Sequence, residues 1–243
     1  MEVFLVMRAT FLLLAVLLAV PAYGADLTVL ADQLLGIAYR PDGVRDESGR
    51  WTRFEHPEET FSTPGLNCSG LGFALMRLIA PPGITTRQAA RDRLGDSGPG
   101  AAMGQDWDFG FDLILNLSDG LPRRWLTPEP RPVSGRENGK AELGFLVADK
   151  AAWNKALAGI GRNQACLVSF SQTGRRKGYT LQHYHVGVIL PDSSGGRWLY
   201  QATPKSGVHK INLADATGMN RFLAFFSGGD KRALLLLVDL PSR

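Results

Sequence analysis

The pattern of apolar residues changes at about residue 143, and that change limits the folds open to the chain. Before it, apolar residues recur at helical spacing: Leu30, Leu34, Leu35 and Ala38 in the stretch 27–38, then Leu71, Ala74, Leu75 and Leu78 in the stretch 68–79. After it, short apolar runs bounded by turn residues dominate, and 143–148, 165–170, 184–190, 198–202 and 234–238 read as strands. A short helix over 150–160, ended by Gly159 or Gly161, separates the first two. Helices first and strands later predict an α+β fold, with an N-terminal helix packed on an antiparallel sheet.

Between these halves the signal weakens. Residues 44–67 are polar and irregular, with Pro57 and Pro64. Residues 86–94 have a helical pattern, 96–104 are a Gly-rich loop, and 106–117 fit either strand or helix. Residues 122–139 are rich in proline, charge and glycine. About 60 residues is small for an independent core. The stretch 84–142 therefore reads as an insertion in one domain spanning 25–243. Its ends must return near the elements that flank it, so it is expected to form one wall of a substrate groove, with Trp107 or Trp125 facing the groove. Packing of Trp107, Phe109, Phe111 and Trp125 in the insertion's own core is the plainer alternative.

Residues 1–24 read as an export signal: Arg8, an apolar run over 9–20, then small residues at 22 and 24 ahead of Ala25. The run is short for a membrane span, so contact with the membrane is expected only during export, and the location is expected to be periplasmic or secreted. The formal net charge of +4 is too small and too scattered to argue for nucleic acid.

Chemistry concentrates at Cys68. It stands in the run Leu66-Asn67-Cys68-Ser69-Gly70-Leu71, where a loop becomes an apolar helix. Unpaired N–H groups and partial positive charge at a helix start favour thiolate over thiol. Downstream, His185 lies on one strand and Gln201 on the next, in position to act as base and as the group that orients the base. Cys166, in a strand-like run, reads as a small core residue, and a disulfide with Cys68 stays open on sequence alone. Neither cysteine has zinc-site spacing, and no metal or organic cofactor is expected.

Four segments together resemble the NlpC-type cell-wall peptidases, papain-like cysteine peptidases of bacteria. They are 34–40 with Tyr39, then Asn67-Cys68-Ser69-Gly70-Leu71, then His185-Val186-Gly187-Val188-Ile189-Leu190, then Tyr200-Gln201-Ala202. The resemblance implies a papain-like fold and Cys68 as nucleophile, His185 as base and Gln201 as orienting residue. It places Tyr39 beside the nucleophile in the substrate site, together with Asn67 and Ser69. It implies peptidoglycan or its peptide fragments as the partner, cut at an amide joining D-glutamate to a diamino acid. The chain departs from the family pattern in having Asn67 where Asp is usual and Gln201 where His is common. An acyltransferase or deamidase on the same scaffold, or a non-catalytic wall-binding protein, would share these features.

Rival readings attach to single residues. His183 lies two positions from His185, and side chains two apart on a regular strand share a face, so His183 too could approach the thiol. Ser69 lacks the Gly-x-Ser-x-Gly setting of a serine nucleophile. His56 and His209 stand in polar, loop-like contexts and read as solvated.

Overall fold

The computed structural model describes residues 26–80, 83–126, 130–142, 144–172 and 182–241. The export signal expected at 1–24 lies outside them. Asp26 caps α1 (Leu27–Asp32) by accepting the Thr28 N–H at 2.9 Å. Strands β1 (Gly43–Arg45), β2 (Trp51–Arg53) and β3 (Thr60–Phe61) form a small antiparallel sheet, in order β1-β2-β3, where the sequence read as irregular. These strands are two or three residues long, too short for alternation to register.

Helix α2 (Cys68–Ile79) buries Leu71, Phe73, Leu75, Met76 and Ile79. The four-residue α3 (Thr86–Ala89) begins with a reciprocal capping box between Thr85 and Gln88. The ambiguous stretch 106–117 becomes α4 (Phe109–Leu117), buried over nearly its whole length. Its one polar pair, Asp112 and Asn116 four residues apart, is buried with the rest, and in a helix of nine residues that pair alone does not separate a helical period from an alternating one.

The main sheet has eight strands. In chain order they are β4 (Arg123–Trp125), β5 (Arg131–Pro132), β6 (Phe145–Leu146), β7 (Gln164–Gln172), β8 (Gln182–Pro191), β9 (Arg197–Thr203), β10 (Gly207–Asn212) and β11 (Lys231–Asp239). Helix α5 (Lys150–Ala158) precedes β7, and α6 (Ala216–Phe225) precedes β11. The spatial order is β10-β9-β8-β7-β11-β4-β5, with β6 also paired to β11, and every pairing is antiparallel. The last strand thus enters the middle of the sheet. Its run of four leucines follows from that place: Leu234 and Leu236 pack on one face, Leu235 and Leu237 on the other. A strand covered on both faces needs no polar alternation.

One face carries Leu71, Leu75 and Phe111 from α2 and α4 against Val186, Val188 and Leu190. The other carries Trp153 of α5 and Phe222 of α6 against Ile189, Leu199 and Phe170. The fold is α+β, as the order of elements predicted. Six helices are present among the described residues, and none is long and apolar enough to cross a membrane.

The stretch 84–142 departs from the expected lid. It supplies α4 to the core and β4 and β5 to the sheet. Trp107 and Trp125 are both fully buried. Trp107 donates from Nε1 to the Asp96 carbonyl at 3.2 Å, and Trp125 stacks on Phe111 with centroids 6.0 Å apart. Neither faces a groove, and the expectation that they bind substrate is corrected: their apolar area is spent on the core.

Candidate active site

The N-terminus of α2 is capped from within and held against β1 at two points. The Asn67 N–H donates to the Gly43 carbonyl at 3.0 Å, and the Asn67 side chain caps the helix by accepting the Gly70 N–H at 2.7 Å. At position 70 only glycine fits, because a Cβ there would collide with the Gly43 carbonyl. Cys68 is therefore fixed at the first helical position. The side chain of Asn67 serves as the cap through Oδ1. The N–H groups of Cys68 and Ser69 make no hydrogen bond among the described residues, as expected at a helix start.

Tyr39 reaches this point through a bridge to Leu66, with Leu66 N–H to the Ala38 carbonyl at 3.0 Å and Arg40 N–H to the Leu66 carbonyl at 3.2 Å. Burial raises the Tyr39 phenol above its ordinary pKa, and negative charge on Cys68 adds to the shift. Ser69 is buried, with Oγ 4.0 Å from the Cys68 sulfur.

A β-bulge positions His185, the candidate base. Phe170 pairs with His185 and Ser171 with His183, which leaves Tyr184 as an extra residue in β8. The extra residue breaks alternation, so the two histidines enter opposite clusters. His185 lies against Phe170 and Phe226, with ring centroids 5.4 and 6.0 Å away. His183 lies against Phe111 at 5.3 Å, donates from Nε2 to the Gly139 carbonyl at 2.9 Å, and accepts the Ser169 hydroxyl at Nδ1 at 2.9 Å. Burial pushes the His183 imidazole down to about 4. It is a neutral core histidine with both ring nitrogens bonded, and the expectation that His183 could approach the thiol or the substrate is corrected.

His185 donates from Nε2 to Gln201 Oε1 at 3.0 Å, so Nδ1 is the nitrogen left for the Cys68 sulfur. Burial opposes charge on both partners, yet their mutual interaction prevails. Burial raises the thiol, but the His185 charge and hydrogen bond, the Val186 N–H and the Ser69 hydroxyl bring it down to about 7. The imidazole is raised above its ordinary value, against burial, by Cys68 and by Gln201. Opposite shifts on two touching groups are the signature of a thiolate–imidazolium pair.

The chain of contacts continues past Gln201, whose side chain is fully buried. Its Nε2 donates to His209 Nε2 at 3.2 Å, and His209 Nδ1 donates to the Gly207 carbonyl at 3.0 Å. His209 sits on β10, directly paired with Gln201. The reading of His209 as a solvated loop residue is corrected. Its strand is six residues long and begins at Gly207, whose φ of 60° follows the turn from β9. Val208 and Ile211 are three apart, with His209 and Lys210 between them, so the strand shows no alternation that would mark His209.

Cys68, His185 and Tyr39 line one cavity of about 320 Å³ with Tyr184, Thr203 and Lys231. No residue of 84–142 lines it. A larger cavity of about 570 Å³ opens between α1, α2 and the β1–β2 turn, lined by Trp51, Arg45 and Arg77. Neither cysteine nor histidine is among its described lining residues, whereas the smaller cavity has both, which makes the smaller one the candidate site. Cys68 and Cys166 are both free thiols; Cys166 is buried in β7, where burial alone drives its thiol well above the ordinary range. Among the described residues, only His56, Glu58 and Glu59 bring three metal-ligating atoms within 4.8 Å of one another, and all three are exposed.

No family model matches the sequence, and no curated protein matches it. In structure the chain is similar to the crystal structure of protein LPG0564 from Legionella pneumophila, described under the family model DUF1460, with a TM-score of 0.52 and 12% sequence identity. The match covers 90% of this chain and 89% of that one. At that identity the likeness is one of fold.

Proposed function

We propose that the protein is an exported cysteine hydrolase of papain-like arrangement that cleaves amide bonds in peptidoglycan stem peptides, at the D-glutamyl–diamino acid bond. One observation carries the reading: a thiol at a helix N-terminus, brought down to about 7 by a histidine whose other nitrogen is held by a buried amide. The substrate class rests on the resemblance of the motifs, and the export on residues 1–24.

In this reading His185 takes the thiol proton at Nδ1, and the sulfur attacks the amide carbon. The oxygen of the tetrahedral intermediate is served by the unpaired N–H groups at the start of α2. His185 then gives its proton to the leaving nitrogen, the C–N bond breaks, and a thioester remains on Cys68. Water, deprotonated by His185, attacks the thioester; the acid leaves and the thiolate is restored. Gln201 keeps the ring in one orientation throughout, and His209 keeps Gln201 from turning its amide over.

Purified sacculi incubated with the protein test this directly. The expected result is release of fragments whose masses place the cut at the D-glutamyl–diamino acid bond, and none from Cys68→Ala. Fragments cut at another amide would move the bond, and intact sacculi with the wild-type protein would overturn the substrate class.

A further inference from the structure

Two residues that line the cavity beside Cys68 carry hydroxyls that the reaction leaves unused. Thr203 Oγ1 and Tyr184 Oη are buried and have no hydrogen-bond partner among the described residues. Both residues line the cavity, and Thr203 is 3% exposed. A buried hydroxyl without a partner is costly, and native structures keep few of them. Two beside one nucleophile point to a ligand that supplies the missing acceptor.

Their positions follow from the fold. Tyr184 is the extra residue of the bulge that turns His185 toward the thiol. Thr203 ends β9, two residues beyond Gln201, and so shares its face. Among the described residues that line the cavity, Lys231, at the start of β11, carries the one permanent charge, and none is Asp or Glu. Among the described residues the Lys231 ammonium makes one long hydrogen bond, 3.5 Å to the Ser227 carbonyl, where an ammonium has three protons to give. Phe225, 50% exposed at the end of α6, adds an apolar wall.

We propose that this cavity binds a free carboxylate on the acyl portion of the substrate, held by the Lys231 ammonium and the hydroxyls of Tyr184 and Thr203, with Phe225 against the aliphatic stem. The acyl group delivered to Cys68 is then a dicarboxylic residue: one carboxyl forms the scissile amide and the other stays free to be read. Burial pushes the Tyr184 phenol up to about 12, so it remains a proton donor at any working pH. Three donors and no acceptor-only side chain select an anion over an amine.

The inference deepens the hydrolase reading, but anion binding does not need turnover, so the two fail separately. Titration calorimetry of the Cys68→Ala protein with glutaramate, which carries a carboxylate, and with neutral glutaramide reads it. Glutaramate is expected to bind at least about tenfold more tightly. Lys231→Met should erase that preference, Lys231→Arg should retain most of it, and Tyr184→Phe or Thr203→Val should each weaken glutaramate several-fold. Equal affinity for the two ligands, heat from neither, or a preference that survives Lys231→Met overturns the subsite. A preference confirmed in a protein that leaves sacculi intact would keep the subsite and remove peptidoglycan as the substrate.

Discussion

His183 and His185 lie on one strand, and a regular strand would turn both to one face. The bulge at Tyr184 sends them apart. His183 enters the cluster around Phe111, where two neutral hydrogen bonds satisfy both nitrogens and burial holds the ring uncharged. His185 meets a thiol and a buried amide, and burial fails to stop it from gaining charge. The two rings are almost equally buried. What separates them is the partner: a hydroxyl and a carbonyl stabilise the neutral form, whereas a nearby thiolate stabilises the charged one. The two cysteines repeat the lesson. Cys68 is drawn down by its histidine, and Cys166, enclosed by strands, is driven up.

The largest expected effects break the symmetry between like residues. Cys68→Ala should lower turnover by about 10⁴-fold or more. Cys166→Ala should leave turnover intact and lose about 1–2 kcal/mol of stability through the small cavity it opens. Denaturant melts beside assays on released fragments would read both, and a Cys166 variant as inactive as the Cys68 variant would show that the two thiols had been assigned wrongly.

Next come the histidines. His185→Ala should lower turnover by about 10²–10⁴-fold. His183→Ala should keep turnover within about twofold but lose about 1–3 kcal/mol, because the Ser169 hydroxyl and the Gly139 carbonyl are left without partners. A His183 variant that folds normally yet fails in turnover would undo the division made by the bulge.

The same pair predicts a pH signature. Burial holds the His183 imidazole at about 4, below its ordinary value of 6.5. A group so depressed contributes stability that is complete above the unfolded value and is lost as pH falls through the window from about 6.5 to 4. The loss approaches about 3 kcal/mol at the acid end. Asp112 and Asp108 work in the opposite direction, since burial raises them to about 7 and about 6, and their contribution is lost as pH rises through those values. The difference between wild type and His183→Gln across pH 4–7 isolates the histidine. A difference that does not change over that window would show that His183 titrates alike folded and unfolded.

The sequence disclosed much of this by type and little of it by placement. Cys68, His185 and Gln201 could be read because each stands in a short run with a distinctive neighbourhood: Cys-Ser-Gly at a helix start and His-Val-Gly on a strand. The bulge could not, because a single extra residue in β8 leaves no mark on composition and becomes visible only in the pairing with β7. Trp107 and Trp125 misled because an aromatic residue in a Gly-rich or proline-rich stretch reads as surface wall, whereas α4 and β4 bury them. His209 was hidden by the brevity of β10 and by the long-range pairing that sets it opposite Gln201. Its hydrogen bond fixes which way the Gln201 amide points.

The smallest effects sharpen the contrast further along the same chain of contacts. Gln201→Ala should lower kcat by about tenfold or somewhat more, since it loosens the ring without removing nucleophile or base. His209→Phe should lower kcat only a few-fold and leave KM unchanged, and His209→Gln, which can still accept from Gln201, should restore it. Loss of substrate affinity instead of kcat in His209→Phe would make His209 a binding group and not a positioning one.

The central claim is that Cys68 and His185 form an ion pair held by Gln201. Alkylation of Cys68 by a neutral reagent, followed against pH in native protein, tests it most directly. The thiol's value of about 7 predicts a rate that is already half-maximal near neutrality in wild type. In His185→Ala the midpoint should move above the ordinary cysteine value of about 8.5, because burial then acts unopposed. A wild-type midpoint in the ordinary alkaline range, unmoved by His185→Ala, would contradict the pair and with it the proposed site.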